Sequence, residues 1–245
     1  FLSLCGFSGH GNDSSTYTRA SGLKPSLDYT FGKSFEMINA SSINGPLIIL
    51  SAGGSGGHVF PAEALAKELG KRGCRLVLVT DRRGDNWGDR LSTIETYRVS
   101  AGAMVGKGIT TKIFNAGEIG IGILQSRRLL GRIKPDVVVG FGGYASIPMM
   151  IAASYSSVAT AIHEQNALLG RANRLLAQKV RKIATSYKNV FSIPGRAQPN
   201  VICTGMPVRN QVEALRDVPY PNFDQQKKIE LLVFGGSQGA SIFSR

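Results

Sequence analysis

Residues 47–50 read Leu-Ile-Ile-Leu, apolar at every position, without the alternation a strand shows when one face of its sheet is wet. The same kind of run returns at 75–80 (RLVLVT), 136–140 (DVVVG), 158–163 (VATAIH) and 229–234 (IELLVF), and more weakly at 96–99, 182–185 and 201–204. Between these runs the apolar residues space themselves as on a helix, at 61–72, within 109–133, at 147–155 and at 168–179. Gly117, Gly120 and Gly122 weaken the helical expectation in the second of these. Strands buried on both faces and alternating with helices predict an α/β fold, a doubly wound parallel sheet whose ligands bind beyond the C-terminal ends of its strands. Residues 1–44 have no such periodicity and are rich in Ser, Thr and Gly, so they are expected to be disordered or foreign to the fold, with Met37 as the native start. Residues 45–215 are then one Rossmann-like domain. Residues 216–245 read as a linker and the first strand and loop of a second such domain.

Chemistry collects where strands end. After 47–50 come Gly53, Gly54, Ser55, Gly56, Gly57 and His58, a turn whose glycines leave backbone amides bare at the start of a helix, where anions are favoured. The turn fails the dinucleotide fingerprint because Val59 stands where the third glycine belongs, and no Walker loop is present. After 136–140 comes Gly140-Phe141-Gly142-Gly143-Tyr144-Ala145-Ser146, in which Tyr144 and Ser146 offer hydroxyls. After 158–163 comes His163-Glu164-Gln165-Asn166, a polar series expected to face the cleft, since each buried unpaired polar group costs about 1–3 kcal/mol. Arg209, in the turn Gly205-Met206-Pro207-Val208-Arg209, suits a phosphate or carboxylate near a helix start. A third glycine loop at 235–239 contains Ser237. Taken alone, His58 serves either as a base or as a helix-capping group. Tyr144 serves either packing or ligand contact.

Composition narrows the field. The net charge of +13 lies entirely after residue 36, and no acid occurs between Glu164 and Glu213 while eight Lys and Arg do. Such a field suits a phosphorylated substrate or an anionic membrane surface. Aromatic residues are 8% of the chain and do not interleave with the basic ones, so nucleic acid is not an expected partner. Three cysteines without ligand spacing indicate neither a disulfide frame nor a metal site, and no cofactor is called for. Phe114, with Ile109, Lys112 and Ile113, is expected to pack in the core rather than to meet a membrane. Asp81, at the end of the second strand, keeps a nicotinamide-dependent oxidoreductase open as an alternative, and a non-catalytic phosphate-binding module is another.

The series GGSGGHVFPA at 53–62, GFGGYAS at 140–146, HEQN at 163–166, GMPVR at 205–209 and GGSQGA at 235–240 resembles the MurG family, the N-acetylglucosaminyltransferases of lipid-linked peptidoglycan intermediates. The resemblance covers residue 47 to the C-terminal end, including a flexible-loop GKG at 106–108. It implies the N-terminal, acceptor-binding domain of a glycosyltransferase of the B architecture. It also implies inverting transfer of N-acetylglucosamine from UDP-GlcNAc to the C4 hydroxyl of lipid I, undecaprenyl-pyrophosphoryl-MurNAc-pentapeptide, by a peripheral protein at the cytoplasmic face of the bacterial inner membrane. By this resemblance His58 is the catalytic candidate, and Ser55, Gly56, Gly57, Asn166, Arg209 and Ser237 are donor-binding. Gly53, Gly54, Tyr144, His163, Glu164 and Gln165 fall on the acceptor side. The chain departs from the family in its N-terminal stretch, in Ser55 where threonine is usual, and in its early end. By itself it is therefore expected to be inactive or very weakly active.

Overall fold

Ile48 and Leu50 point to one face of a sheet and Ile49 to the other, and all three are at most 1% exposed. That is what an apolar run without alternation requires: helices on both sides. The computed structural model describes residues 45–81, 94–102 and 109–219, with the backbone alone for 109–113. Its elements run β1 (Leu47–Ser51), α1 (Gly56–Lys71), β2 (Arg75–Thr80), β3 (Glu95–Arg98), α2 (Ile109–Ile133), β4 (Val137–Gly140), α3 (Ile147–Ser154), β5 (Ala159–Glu164), α4 (Arg171–Leu176), β6 (Lys182–Thr185), β7 (Val201–Cys203) and α5 (Asn210–Glu213). The expected strand at 229–234, the loop containing Ser237, the GKG at 106–108 and the N-terminal stretch 1–44 lie outside the described residues.

The seven strands form one sheet in the order β3-β2-β1-β4-β5-β6-β7, with every pairing parallel. Chain order reverses at β1, which pairs with β2 on one side and β4 on the other. The connections leaving β1 and β4 therefore diverge and open a crevice at their C-terminal ends. One face of the sheet packs Ile48, Leu50, Val137 and Val139 against Ala62, Leu65, Ala66 and Leu69 of α1. The other packs Ile49, Val138, Ile162 and Ile183 against Leu129, Met149, Met150 and Leu176 from α2, α3 and α4.

Three helices differ from the sequence expectation, α4 by occupying only Arg171–Leu176 of the expected 168–179. α1 begins at Gly56 rather than at residue 61, so Pro61 lies inside it and cannot supply the N–H that the Gly57 carbonyl would accept. The helix survives because Val59, Ala62, Leu65, Ala66 and Leu69 bury one stripe. It ends in a Schellman turn, with Cys74 N–H donating to Leu69 O, Gly73 N–H donating to Gly70 O, and Gly73 at φ 76°. α2 is continuous from 109 to 133 despite its glycines. Gly122 is there for close approach: a Cβ on it would stand 1.8 Å from the Ser100 carbonyl oxygen, whereas one on Gly117 or Gly120 would meet nothing within 4 Å. Phe114 is not a core residue as expected. It is 68% exposed, and Ile121 and Leu124 share its outer face.

Candidate functional site

The β1–α1 connection passes over the sheet at its switch point. Gly53 is wedged there, since a Cβ on it would lie 2.7 Å from Thr80 Oγ1, 2.8 Å from the Ala145 methyl and 3.3 Å from Asp81 Oδ1. Its role is contact with neighbouring strands and not an open cradle. Asp81 is only 3% exposed against this wedge, a poor place for a ribose-binding acid. Gly54 turns the chain at φ 86°. Ser55 takes the extended conformation of a helix N-cap and its carbonyl accepts from the His58 and Val59 amides, while its hydroxyl makes no capping bond. Gly56 and Gly57 are the first two helical residues, and Gly57 is exposed. Their amides are among the first four of a helix and have no acceptor within it.

His58 therefore projects from the first turn of α1 toward the β4–α3 turn. Gly142 and Gly143, at φ 83° and 72°, fold around its ring. A Cβ on Gly142 would stand 3.4 Å from His58 Cε1, and one on Gly143 would stand 3.0 Å from Cδ2 and 3.3 Å from Nε2. His58 Nδ1 lies 3.3 Å from Gln165 Oε1. Gln165 Nε2 donates to the Phe141 carbonyl at 2.9 Å and lies 3.3 Å from His163 Nδ1, and His163 Nε2 lies 3.2 Å from the Gly205 carbonyl. Burial lowers the pKa of His163, and the Gly205 carbonyl and Glu164 oppose that shift.

Three of the four residues of the HEQN series turn inward, contrary to the expectation that the series faces the cleft. His163, Glu164 and Gln165 are 0%, 1% and 6% exposed, and only Asn166 is open. Burial is possible because each of the three finds hydrogen-bond partners there. Glu164 Oε1 accepts from the amide and the side chain of Asn166, at 3.0 and 3.2 Å, and Oε2 accepts from Gly170 N–H and Asn173 Nδ2, both at 2.8 Å. Glu164 thereby stitches the β5–α4 loop to α4.

Beside His58 opens a cavity of about 290 Å³, bounded by Gly142, Gly143, Tyr144, Glu164, Asn166 and Asn173, with Gly170, Arg171 and Ala172 at its α4 side. Asn173 is a residue that sequence reasoning missed. Its Nδ2 is taken by Glu164 and the His163 carbonyl, and its Oδ1 is buried without a partner. The available signal was an asparagine beside Ala172 and Leu176, the buried stripe of α4. Tyr144 is half-buried on the cavity wall. Ser146, offered from sequence as a hydroxyl donor, is fully buried and donates to the Gly143 carbonyl. Arg209 caps the short α5, and its guanidinium lies 4.4 Å from the centroid of the Phe60 ring, on α1 two residues after His58. Among the described residues no group of three His, Cys, Asp or Glu is placed to hold a metal.

A seven-stranded parallel sheet with an imidazole held at its switch point, and glycine turns on either side of it, is the N-terminal domain of a glycosyltransferase of the B architecture. Residues 48–185 match the glycosyltransferase family 28 N-terminal domain, and the chain belongs to that family. It is 55% identical over 199 residues to the UDP-N-acetylglucosamine–N-acetylmuramyl-(pentapeptide) pyrophosphoryl-undecaprenol N-acetylglucosamine transferase of Paramagnetospirillum magneticum, a match covering 81% of this chain and 54% of that protein. The protein of the same name from Rhodospirillum centenum is 50% identical, over 80% of this chain and 52% of its own length. The chain thus spans about half the length of these curated relatives. Among solved structures, Acinetobacter baumannii MurG superposes with a TM-score of 0.56 at 28% identity, covering 72% of this chain and 50% of that one. The kitacinnamycin glycotransferase, at TM-score 0.50 and 10% identity over 77% of this chain and 55% of that one, shares the fold alone.

Proposed function

We propose that this chain forms the acceptor-side half of an inverting hexosyltransferase that moves N-acetylglucosamine from UDP-GlcNAc to the C4 hydroxyl of lipid I, giving lipid II. The observation that carries this reading is His58, fixed at the switch point beside the cavity with one ring nitrogen engaged by Gln165. In the reaction the C4 oxygen attacks the anomeric carbon, the bond from that carbon to the UDP oxygen breaks, and His58 takes the hydroxyl proton. The amides of Gly56 and Gly57, the positive end of α1 and Arg209 supply positive potential for the pyrophosphates involved. Ser55 and Asn166 present polar groups on the donor side, and Tyr144 and Asn173 border the acceptor. Glu164 and His163 act from behind this surface by holding it in shape.

The same reading places the protein at the cytoplasmic face of the inner membrane. α2 carries Phe114, Ile121, Leu124 and Arg128 on one exposed face, with Arg127 beside it. That combination suits the surface of an anionic bilayer. No helix among the described residues is long and apolar enough to cross one.

A chimera tests the function. Residues 47–219 of this chain replace the corresponding half of the P. magneticum relative, and transfer from UDP-GlcNAc to a soluble lipid I analogue is measured. Transfer is expected, with a loss of about 10²- to 10⁴-fold in His58→Ala. A folded chimera that binds UDP-GlcNAc but transfers nothing, or one indifferent to His58→Ala, overturns the reading.

A further inference from the structure

The residues behind His58 form a directed chain of hydrogen bonds whose polarity is fixed at its far end. The Gly205 carbonyl can only accept, so the His163 nitrogen facing it, Nε2 at 3.2 Å, carries a proton. Buried, with its pKa lowered by desolvation, His163 is neutral, and its Nδ1 is then an acceptor. The Gln165 atom 3.3 Å from Nδ1 must be the donating nitrogen. A second constraint fixes the same amide independently: that atom also lies 2.9 Å from the Phe141 carbonyl, and a flipped amide would set two oxygens against each other there. Gln165 Oε1 therefore faces His58, and because it can only accept, His58 Nδ1, 3.3 Å away, bears the ring proton. The Nε2 of a neutral His58 is left with its lone pair, on the side clasped by Gly143.

We infer that Gln165 is a positioning residue that selects the tautomer of His58, holding the proton on Nδ1 and leaving Nε2 as the basic nitrogen. A solvated imidazole favours the opposite tautomer, with the proton on Nε2. The selection matters because a base must present a lone pair, and the relay decides which nitrogen presents it. The relay also runs from α1 through β5 to the Gly205 turn, and the Phe141 and Gly205 carbonyls, 83 and 147 residues from His58 in sequence, both favour the same amide orientation. That Nε2 then serves as the base rests on the function proposed above. The tautomer itself does not.

The chain has three histidines, His10, His58 and His163, which suits long-range ¹H–¹⁵N correlation spectra of the histidine-labelled protein, recorded where the rings are neutral and assigned with His10→Gln. The expected result is an Nδ1–H pattern for His58 and an Nε2–H pattern for His163. In Gln165→Met, which keeps bulk but removes the amide, His58 is expected to lose the Nδ1–H pattern in favour of Nε2–H. In Gln165→Glu an acceptor still faces His58, so its Nδ1–H pattern is expected to persist. An Nε2–H pattern for wild-type His58 overturns the inference without any variant. Retention of Nδ1–H in a folded Gln165→Met also overturns it. The chimera separates the two claims: an Nδ1–H His58 without sugar transfer sinks the function and leaves the relay, and transfer with an Nε2–H His58 does the reverse.

Discussion

At His163 a titratable ring has been moved wholly into the interior, and burial lowers its pKa from the ordinary 6.5. Around and below that value the unfolded chain binds a proton that the folded chain resists, so stability is full above about pH 6.5 and falls as the pH drops toward the lowered native pKa. Urea midpoints measured between pH 7.5 and 5 should fall in the wild type, and less steeply in His163→Gln. Equal slopes would show that another group dominates. Gly143 gives a second test at this scale. At φ 72° and ψ 167° it occupies a region open essentially to glycine alone, and a Cβ would press on His58 and lie 3.2 Å from the Gly53 carbonyl oxygen. Gly143→Ala should cost about 1–3 kcal/mol in denaturant unfolding and shift the His58 ring resonances; a neutral result would show that the turn can relax. The importance of His58 and the glycines was legible in the motif. The ring's clasp was not, because Gly142, Gly143 and Gln165 lie 84 to 107 residues along the chain and meet it only through the strand order.

Among the elements, α2 separates glycines that look alike in sequence. Gly122→Ala drives a methyl into the Ser100 carbonyl and should destabilise by about 1–3 kcal/mol, whereas Gly117→Ala and Gly120→Ala face open space and should stabilise by up to about 1 kcal/mol through helix propensity. Thermal melts of the three variants decide it, and the ranking fails if Gly122→Ala melts with the other two. The β5–α4 loop depends on one side chain in a comparable way. Replacing an oxygen of Glu164 by an amide sets donor against donor at Asn166 or at Gly170 and Asn173, so Glu164→Gln should cost about 1–3 kcal/mol. Amide exchange in residues 165–170 should rise with it; unchanged protection would mean that the loop is held by other contacts. A polar tetrad with no apolar spacing reads as surface, and the pattern gave no sign that three of its members would find their hydrogen-bond partners inside, at Phe141, Gly170, Asn173 and Gly205. The early start of α1 was hidden for a related reason, since glycines and an internal proline are poor helix formers and the helix is held by packing of its apolar stripe.

For the molecule as a whole, the exposed face of α2 predicts behaviour at a lipid surface. Phe114→Ser with Leu124→Ser removes two side chains that are 68% and 57% exposed, and should weaken co-sedimentation with anionic vesicles by roughly ten- to a hundredfold. Added salt should weaken it further by screening Arg127 and Arg128. Binding that ignores both the substitutions and the lipid charge would remove the membrane from the proposal. The expectation that Phe114 belongs to the core failed because helical periodicity reports that a helix has an apolar face, and only packing shows which faces are covered.

The sequence by itself determined the class of fold, because unbroken apolar strands alternating with amphipathic helices have few arrangements other than a parallel sheet covered on both sides. It also marked the strand ends that carry chemistry, through glycine turns and through polar residues too concentrated to be casual. Tertiary structure alone decided which of those residues meet the solvent and which support them. Hydrogen-bond satisfaction and burial are properties of pairs brought together by the sheet order, so Glu164 and Gln165, neighbours in the chain, separate into a brace for a loop and a partner for His58.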